Sequence, residues 1–452
     1  MYFSTRVPRA RSRRANQFTP VNALLNGALQ ALADIALQPV ILLAAIAYLL
    51  GGSSYQIAGF AVVSLASWAL AEWVAAPLRV ILRRDFRLVT ISSVIRLVAA
   101  VAIGVIGLRL ADADARDQVG ALLVAYTIYQ LASAVIGRAS VHSIQGGGAL
   151  GSRRGLFRSR AIIGAAAALI GGVAVWSALR APGTTGDQGG LALVLAAIGI
   201  AAATWFLLAI PGNRRIEPRA PHRGRSAREG LPALRFRAYR HYLFFRSVLA
   251  LSAAADPFLI VFGLVQLGLT LGEVGAAIAV YAAGHLLGML IWPEWTAARG
   301  ARAPLQMTAL LRLLILVVAV SIPSISASGL YAGRFDGPDV AVRCFIAIFG
   351  LLGLVTSANN VANQPYLLDI VPADLAHPAI ALTNTILGGL ALGALAAAFL
   401  VERFSLQAML YVAIILAFVA LVGSGLLADS RIRIRQRYGS RGVRRPIARG
   451  LV

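Results

Sequence analysis

Apolar residues run in blocks of about 20 along most of the chain, separated by short polar or Gly-rich joints. As helices, such blocks are long enough to cross a hydrocarbon layer of ~30 Å. The pattern predicts helices at about 22–50, 57–78, 88–110, 118–137, 161–180 and 191–210, and again at about 241–268, 273–293, 304–323, 340–362, 378–400 and 406–427. The stretch 212–240 between the two sets carries nine Arg with Pro218, Pro221 and Pro232, and holds too few apolar residues to fold alone. Part of it is expected as a basic amphipathic helix on the membrane surface.

The polar joints alternate in charge. Arg6, Arg9, Arg11, Arg13 and Arg14 precede the first helix, and Arg79, Arg83, Arg84 and Arg87 follow the second. Arg also crowds the fourth joint, the central stretch, the eighth joint and the tail from Arg431. The intervening joints are not basic; in the third, Asp112, Asp114 and Asp117 face Arg109 and Arg116. The tenth joint, with Asp369, Asp374 and His377, departs from the alternation. Positive charge marks the cytoplasmic side, so both termini are expected there, in a multi-pass plasma-membrane protein.

This reading gives a basic arm (1–20), a six-helix bundle (21–211), a basic linker (212–240), a second six-helix bundle (241–428) and a basic tail (429–452). An even number of helices per half gives both halves the same orientation, a parallel repeat. The halves are also in register: Pro39 and Pro257 lie 218 positions apart, Arg96 and Arg312 lie 216 apart.

Composition agrees with a membrane protein. The chain is 59% hydrophobic and 13% charged, with a mean hydropathy of +0.76, whereas soluble domains carry roughly 25% charged residues. The net charge is +24 and every basic residue is Arg. That charge follows the loop alternation, which speaks against nucleic acid and for anionic lipid at the basic arms. The single Cys344 permits no internal disulfide, no His/Cys cluster has metal-ligand spacing, and no Gly-Lys-Ser/Thr phosphate loop is present. The expectation is a monomer without cofactor or enzymatic chemistry.

An ionisable residue at bilayer depth is costly, and so marks candidate function. Asp34 and Gln38 are i, i+4 on the first helix, and Ser252 and Asp256 hold the matching places on the seventh. Pro39 and Pro257 each remove a backbone donor and favour a bend. These four side chains are expected to converge on a cavity and touch solute or carry protons; the alternative is acids satisfied by packing. Glu72 and Arg96 flank the 2–3 joint at equal depth and are expected to form a structural ion pair. Arg312 has no matching acid on the eighth helix, which leaves it for an anionic solute group or for Asp256. Tyr126, Tyr129 and Gln130 on the fourth helix and Asn359 and Asn363 on the tenth offer polar contacts, either to cargo or between helices. His285 offers a proton relay or a packing contact.

The six-plus-six plan, the basic central linker and the short 2–3 and 8–9 joints together resemble the major facilitator superfamily across essentially the whole chain. That family's loop signature is a Gly, then an Asp, then Arg-x-Gly-Arg-Arg. The 8–9 joint keeps Arg299, Gly300 and Arg302, with Ala297 or Ala298 where the Asp would stand. The 2–3 joint keeps Arg83, Arg84 and Arg87 without the glycines. The resemblance implies an all-α fold of two six-helix parallel repeats and a gating role for the 8–9 joint. It also implies a secondary transporter of a small solute by alternating access, with proton coupling. A transport-incompetent scaffold or sensor is the alternative that the departed loop signature allows, and a flippase of lipid-linked glycans is a weaker one.

Overall fold

The computed structural model describes residues 10–82, 85–110, 115–145, 150–209, 227–328, 339–372 and 374–429. Within these, the side chains of 10–20, 72, 75–77, 79–82, 85–86, 115–116, 138–145, 150–157 and 227 lie outside the description. The described residues hold twelve helical spans long and apolar enough to cross a membrane, and no strand. This is a multi-pass membrane protein.

The first span is interrupted. Helix α1 (Ala10–Ala36) stops before Gln38, and a π-helical turn (Pro39–Leu43) leads into α2 (Ala44–Leu49). Proline explains the break. The residue before it is pushed out of the helical region, and Gln38 is extended at φ −59° and ψ 111°. Spans 2 to 6 are α3 (Ser54–Leu82), α4 (Asp85–Arg109), α5 (Ala115–Gln145), α6 (Leu150–Ala178) and α7 (Thr185–Leu208). Thr184 caps α7 by accepting from the Asp187 amide while the Asp187 carboxylate accepts from the Thr184 amide, which satisfies two otherwise orphaned donors.

The seventh span repeats the interruption. It divides into α8 (Arg237–Ala253) and α9 (Asp256–Gln266), with Pro257 in the first turn of α9. Spans 8 to 10 are α10 (Leu271–Arg299), α11 (Arg302–Ser326) and α12 (Asp339–Ile370). Span 11 divides into α13 (Ala376–Leu390) and α14 (Gly393–Arg403), and α15 (Leu406–Ser424) is span 12. The face on which the first span begins also carries Arg158, Arg299 and Arg302, and is the Arg-rich face.

Part of the linker is helical. Residues Ala227–Arg235 form a 3-10 helix that packs on α13 and α8. Ala233 is fully buried, with Leu234 and Phe236 against the same apolar cluster. These few apolar positions dock on a preformed helix rather than building a core of their own.

Within the N-terminal half α1 packs on α6 and α7, and α4 on α5 and α7; within the C-terminal half α12 packs on α10 and α11, and α15 on α8 and α11. Three seams join the halves: α6 with α10, α3 with α13 and α14, and α2 with α9. The fold is all-α, with twelve spans in two parallel six-helix repeats.

Candidate functional site

The interruption of the first span falls at mid-depth and brings α1 side chains against α4, α5 and α7. Tyr129 Oη donates to Asp34 Oδ1 at 2.5 Å. Gln30 Nε2 lies 2.8 Å from the same Asp34 oxygen and 2.9 Å from Tyr129 Oη. On its other side the Gln30 amide oxygen accepts from Arg96 Nη1 at 2.7 Å. Arg96 Nη2 donates to Thr204 Oγ1 at 2.7 Å, and Thr204 in turn bonds the Ile200 carbonyl. One amide thus stands between a buried guanidinium, 3% exposed, and a carboxylate that is exposed. Its oxygen faces the cation and its NH2 faces the anion, as its dipole requires.

Asp34 is accessible although it lies in the middle of its span and accepts from the fully buried Tyr129. Four residues on, at the break itself, Gln38 lies within interaction range of the Tyr281 hydroxyl of α10, a contact that crosses the seam.

In the C-terminal half the cation and the acid meet directly. Arg312 Nη1 bonds Asp256 Oδ1. Arg312 Nε donates to Ser252 Oγ at 3.2 Å, and Nη2 donates to the Ser252 carbonyl at 2.6 Å. The break before Pro257 places that carbonyl where the guanidinium can reach it. Ser252 Oγ donates to the Ala413 carbonyl of α15 at 3.1 Å. Arg312 is 1% exposed and fully committed; of the two uses expected for it, the structure gives the bond to Asp256.

By sequence offset the repeat holds its two arginines at nearly equivalent places, 216 positions apart, and its two acids one turn apart. Asp34 matches Ser252, and Gln38 matches Asp256. This offset is why Arg312 touches its acid while Arg96 reaches Asp34 through Gln30.

The other expected residues divide. Gln130 donates to Tyr126 Oη at 2.7 Å, and Tyr126 and Tyr129 lie with ring centroids 6.2 Å apart, so this pair joins the Asp34 cluster. His285 stacks on Tyr281 at 6.5 Å, beside the seam. Asn359 and Asn363 are apart from both acids: Asn359 Oδ1 accepts from Arg246 Nη1 at 2.7 Å, and the Asn363 amide approaches the same oxygen at 3.5 Å. The Glu72 side chain lies outside the described residues; two nitrogens of Arg96, its expected partner, are taken by Gln30 and Thr204. In the 8–9 joint, Arg299 lies over the Trp295 ring at 5.3 Å, Gly300 takes a positive φ of 83°, and Arg302 donates to the Gly425 carbonyl at 3.3 Å. These contacts all lie within the C-terminal half.

Sequence reasoning missed Gln30, Thr204, Tyr281 and Arg246 as parts of these clusters. Gln30 was findable, since it stands one turn before Asp34 on the same face. Thr204 and Tyr281 sit in apolar helices where a lone hydroxyl carries no signal.

No family model matches the chain, and no curated protein matches it. Solved structures do share its fold. The nucleoside transporter NupG is similar at 11% identity and a TM-score of 0.60, over 90% of this chain and 98% of that one. A bacterial homologue of the iron transporter ferroportin in its inward-facing state is similar at 15% identity and 0.58, over 91% and 98%. A D-xylose-proton symporter is similar at 12% and 0.60, over 92% and 98%. At such identities the likeness speaks for the architecture, which is that of a two-repeat, twelve-span membrane protein. The fold is of the major facilitator type.

Proposed function

We propose that this protein is a secondary active transporter that carries a small solute across the plasma membrane by alternating access, coupled to protons. The observation that carries the reading is Asp34: an accessible carboxylate at mid-span, bonded by neutral donors, just before the break whose π-helical turn packs on α9 and α10 of the opposite half. A carboxylate held by Tyr129 and Gln30 rather than by a guanidinium can gain and lose a proton without breaking an ion pair. Asp256, bonded to Arg312, is the structural member of the pair of acids. Gln38, Gln130, Tyr281 and His285 supply polar contacts for solute beside it. The fold supports this reading, since the structures that share it include a proton symporter. Both termini are assigned to the cytoplasm on the charge alternation of the loops.

The test is flux into proteoliposomes under an imposed pH gradient, run over a panel of nucleosides, sugars, peptides and metal ions with parent, Asp34→Asn and Asp256→Asn proteins. Gradient-driven flux in the parent that becomes gradient-independent in Asp34→Asn is the expected result. Flux that responds equally to the gradient in both would remove Asp34 from coupling. No flux with any class would favour the scaffold reading.

A further inference from the structure

A second site lies on the outside of the N-terminal half. An apolar groove of about 220 Å³ runs between α1, α6 and α7, lined by Leu32, Ala36, Gly171, Val175, Ile198 and Ala202 among others. It opens outward, where Ile198 is 61% exposed. Gly171 lets α6 approach Leu32 and Ile35 of α1 closely enough to form its floor.

Beyond the end of the groove nearer the Arg-rich face, the same three helices carry polar contacts. The Arg160 side chain lies across Gly27 of α1, and its Nη2 donates to Asn26 Oδ1 at 3.1 Å. Asn26, itself 5% exposed, is anchored by donating to the Ala203 carbonyl of α7 at 2.8 Å. Arg160 is half-buried, and among the described residues no carboxylate bonds it. Among the described residues the other guanidinium N–H groups have no acceptor, which leaves them for one from outside. Two residues beyond Ala203, Trp205 is 74% exposed; such a Trp marks headgroup depth.

The levels agree on all three helices. Groove residues lie deeper in the membrane than Asn26 on α1, Arg160 on α6 and Ala203 on α7. At 1.5 Å per residue, Gly171 lies roughly 16 Å below Arg160, a distance an acyl chain spans from its headgroup. We propose that this groove and Arg160 form a binding site for one anionic phospholipid, its tail in the α1–α6–α7 groove and its phosphate on the Arg160 guanidinium. Arg suits the second role because its planar fork matches phosphate oxygens. The first role needs only an apolar channel open to the bilayer. The site is independent of the transport reading, since it faces away from the seam.

The test is native mass spectrometry of the full chain released from micelles containing equal dioleoylphosphatidylglycerol and dioleoylphosphatidylcholine. The parent is expected to retain one phosphatidylglycerol. Arg160→Gln is expected to lower that retention about tenfold relative to phosphatidylcholine, the loss of one charge-assisted contact, while Arg160→Lys keeps most of it. Ala202→Phe, which fills the groove, is expected to lower retention of both lipids. Equal retention of the two lipids by the parent, or a phosphatidylglycerol preference that survives Arg160→Gln, overturns the proposal. If Arg160→Gln does not fold, Ala202→Phe decides, and undiminished lipid retention in that variant overturns it. Glycerol 3-phosphate is added as the competing headgroup alone; displacement of the lipid by it would make the site one for free phosphate esters and also overturn the proposal.

Discussion

Arg312 grips Asp256 and, one turn earlier on the same span, the backbone carbonyl of Ser252. Both members of the ion pair are shielded, with side-chain exposures of 2% for Arg312 and 15% for Asp256. Breaking a buried pair leaves one charge uncompensated and costs about 3–5 kcal/mol, whereas replacing both members by apolar residues is often near neutral. Asp256→Asn and Arg312→Met are therefore each expected to lower stability by that amount. Asp256→Leu/Arg312→Met should sit within about 1–2 kcal/mol of the parent. Thermal and denaturant unfolding in micelles reads this directly. A double variant as unstable as the sum of the singles would mean that the two groups are satisfied elsewhere.

Gln30 is the bridge in the other half, and removing it should affect two charges at once. Gln30→Leu deprives Arg96 of one acceptor and Asp34 of one donor. A buried group left unpaired costs about 1–3 kcal/mol, so the variant should lose that much stability. Gln30→Glu instead sets a carboxylate directly on Arg96 and should retain more stability than Gln30→Leu. Its proton-driven flux should fall nonetheless, because Asp34 loses the NH2 group that holds it. The comparison needs unfolding midpoints and flux on the same preparations; equal stability of the two variants would show that Arg96 does not depend on residue 30.

How much of this was legible before the structure differs by level. The twelve-span plan follows from block length and hydropathy alone, because only helices and closed barrels span a bilayer and apolar blocks of about 20 residues fit helices. The interruption of spans 1 and 7 was legible in Pro39 and Pro257, whose chemistry is local. Pairing was less so. The expected Glu72–Arg96 pair rested on equal depth along adjacent helices; the Glu72 side chain lies outside the described residues, and depth alone does not fix rotation about the helix axis. The structure turns Arg96 toward α1 and α7, where Gln30 and Thr204 meet it. Arg312 was assignable to Asp256 or to solute, and only the geometry of the break between Ala253 and Asp256 chose between them. The docked turn at Ala227–Arg235 was hidden because its stability comes from α13, not from its own composition.

Arg158 and Glu294 join the halves on the Arg-rich face at 2.8 Å. Their side chains are 60% and 67% exposed, and exposed pairs contribute about 0–1 kcal/mol. The pair is therefore too weak to hold the fold together yet strong enough to bias the two arrangements of the halves that the proposed alternating access requires. Arg158→Glu should leave the unfolding midpoint nearly unchanged. It should raise the rate at which a maleimide labels Ala69→Cys in a Cys344→Ser background, where buried Ala69 of α3 meets Gly388 of α13 across the seam. Arg158→Glu/Glu294→Arg should restore the slower rate, and salt should blunt the difference. Labelling rates that ignore all three changes would show that this contact does not gate the seam.

The crossing of α10 and α12 depends on backbone meeting backbone. A Cβ built on Gly284 would press into the Gly350 carbonyl, and one on Gly353 into the Tyr281 carbonyl. Neither neighbour is a side chain that can rotate away, so the helices themselves must part, and the His285–Tyr281 stack beside the seam moves with them. Gly284→Ala is expected to cost about 1–3 kcal/mol, the usual penalty of overpacking. Gly389 provides the control, being helical with nothing within 4 Å of its added Cβ. Gly389→Ala should be neutral or stabilising by up to about 1 kcal/mol, since alanine favours the helix. The difference in unfolding midpoint between the two variants measures the closeness of the crossing, and two variants of equal stability would mean that α10 and α12 stand further apart than this packing requires.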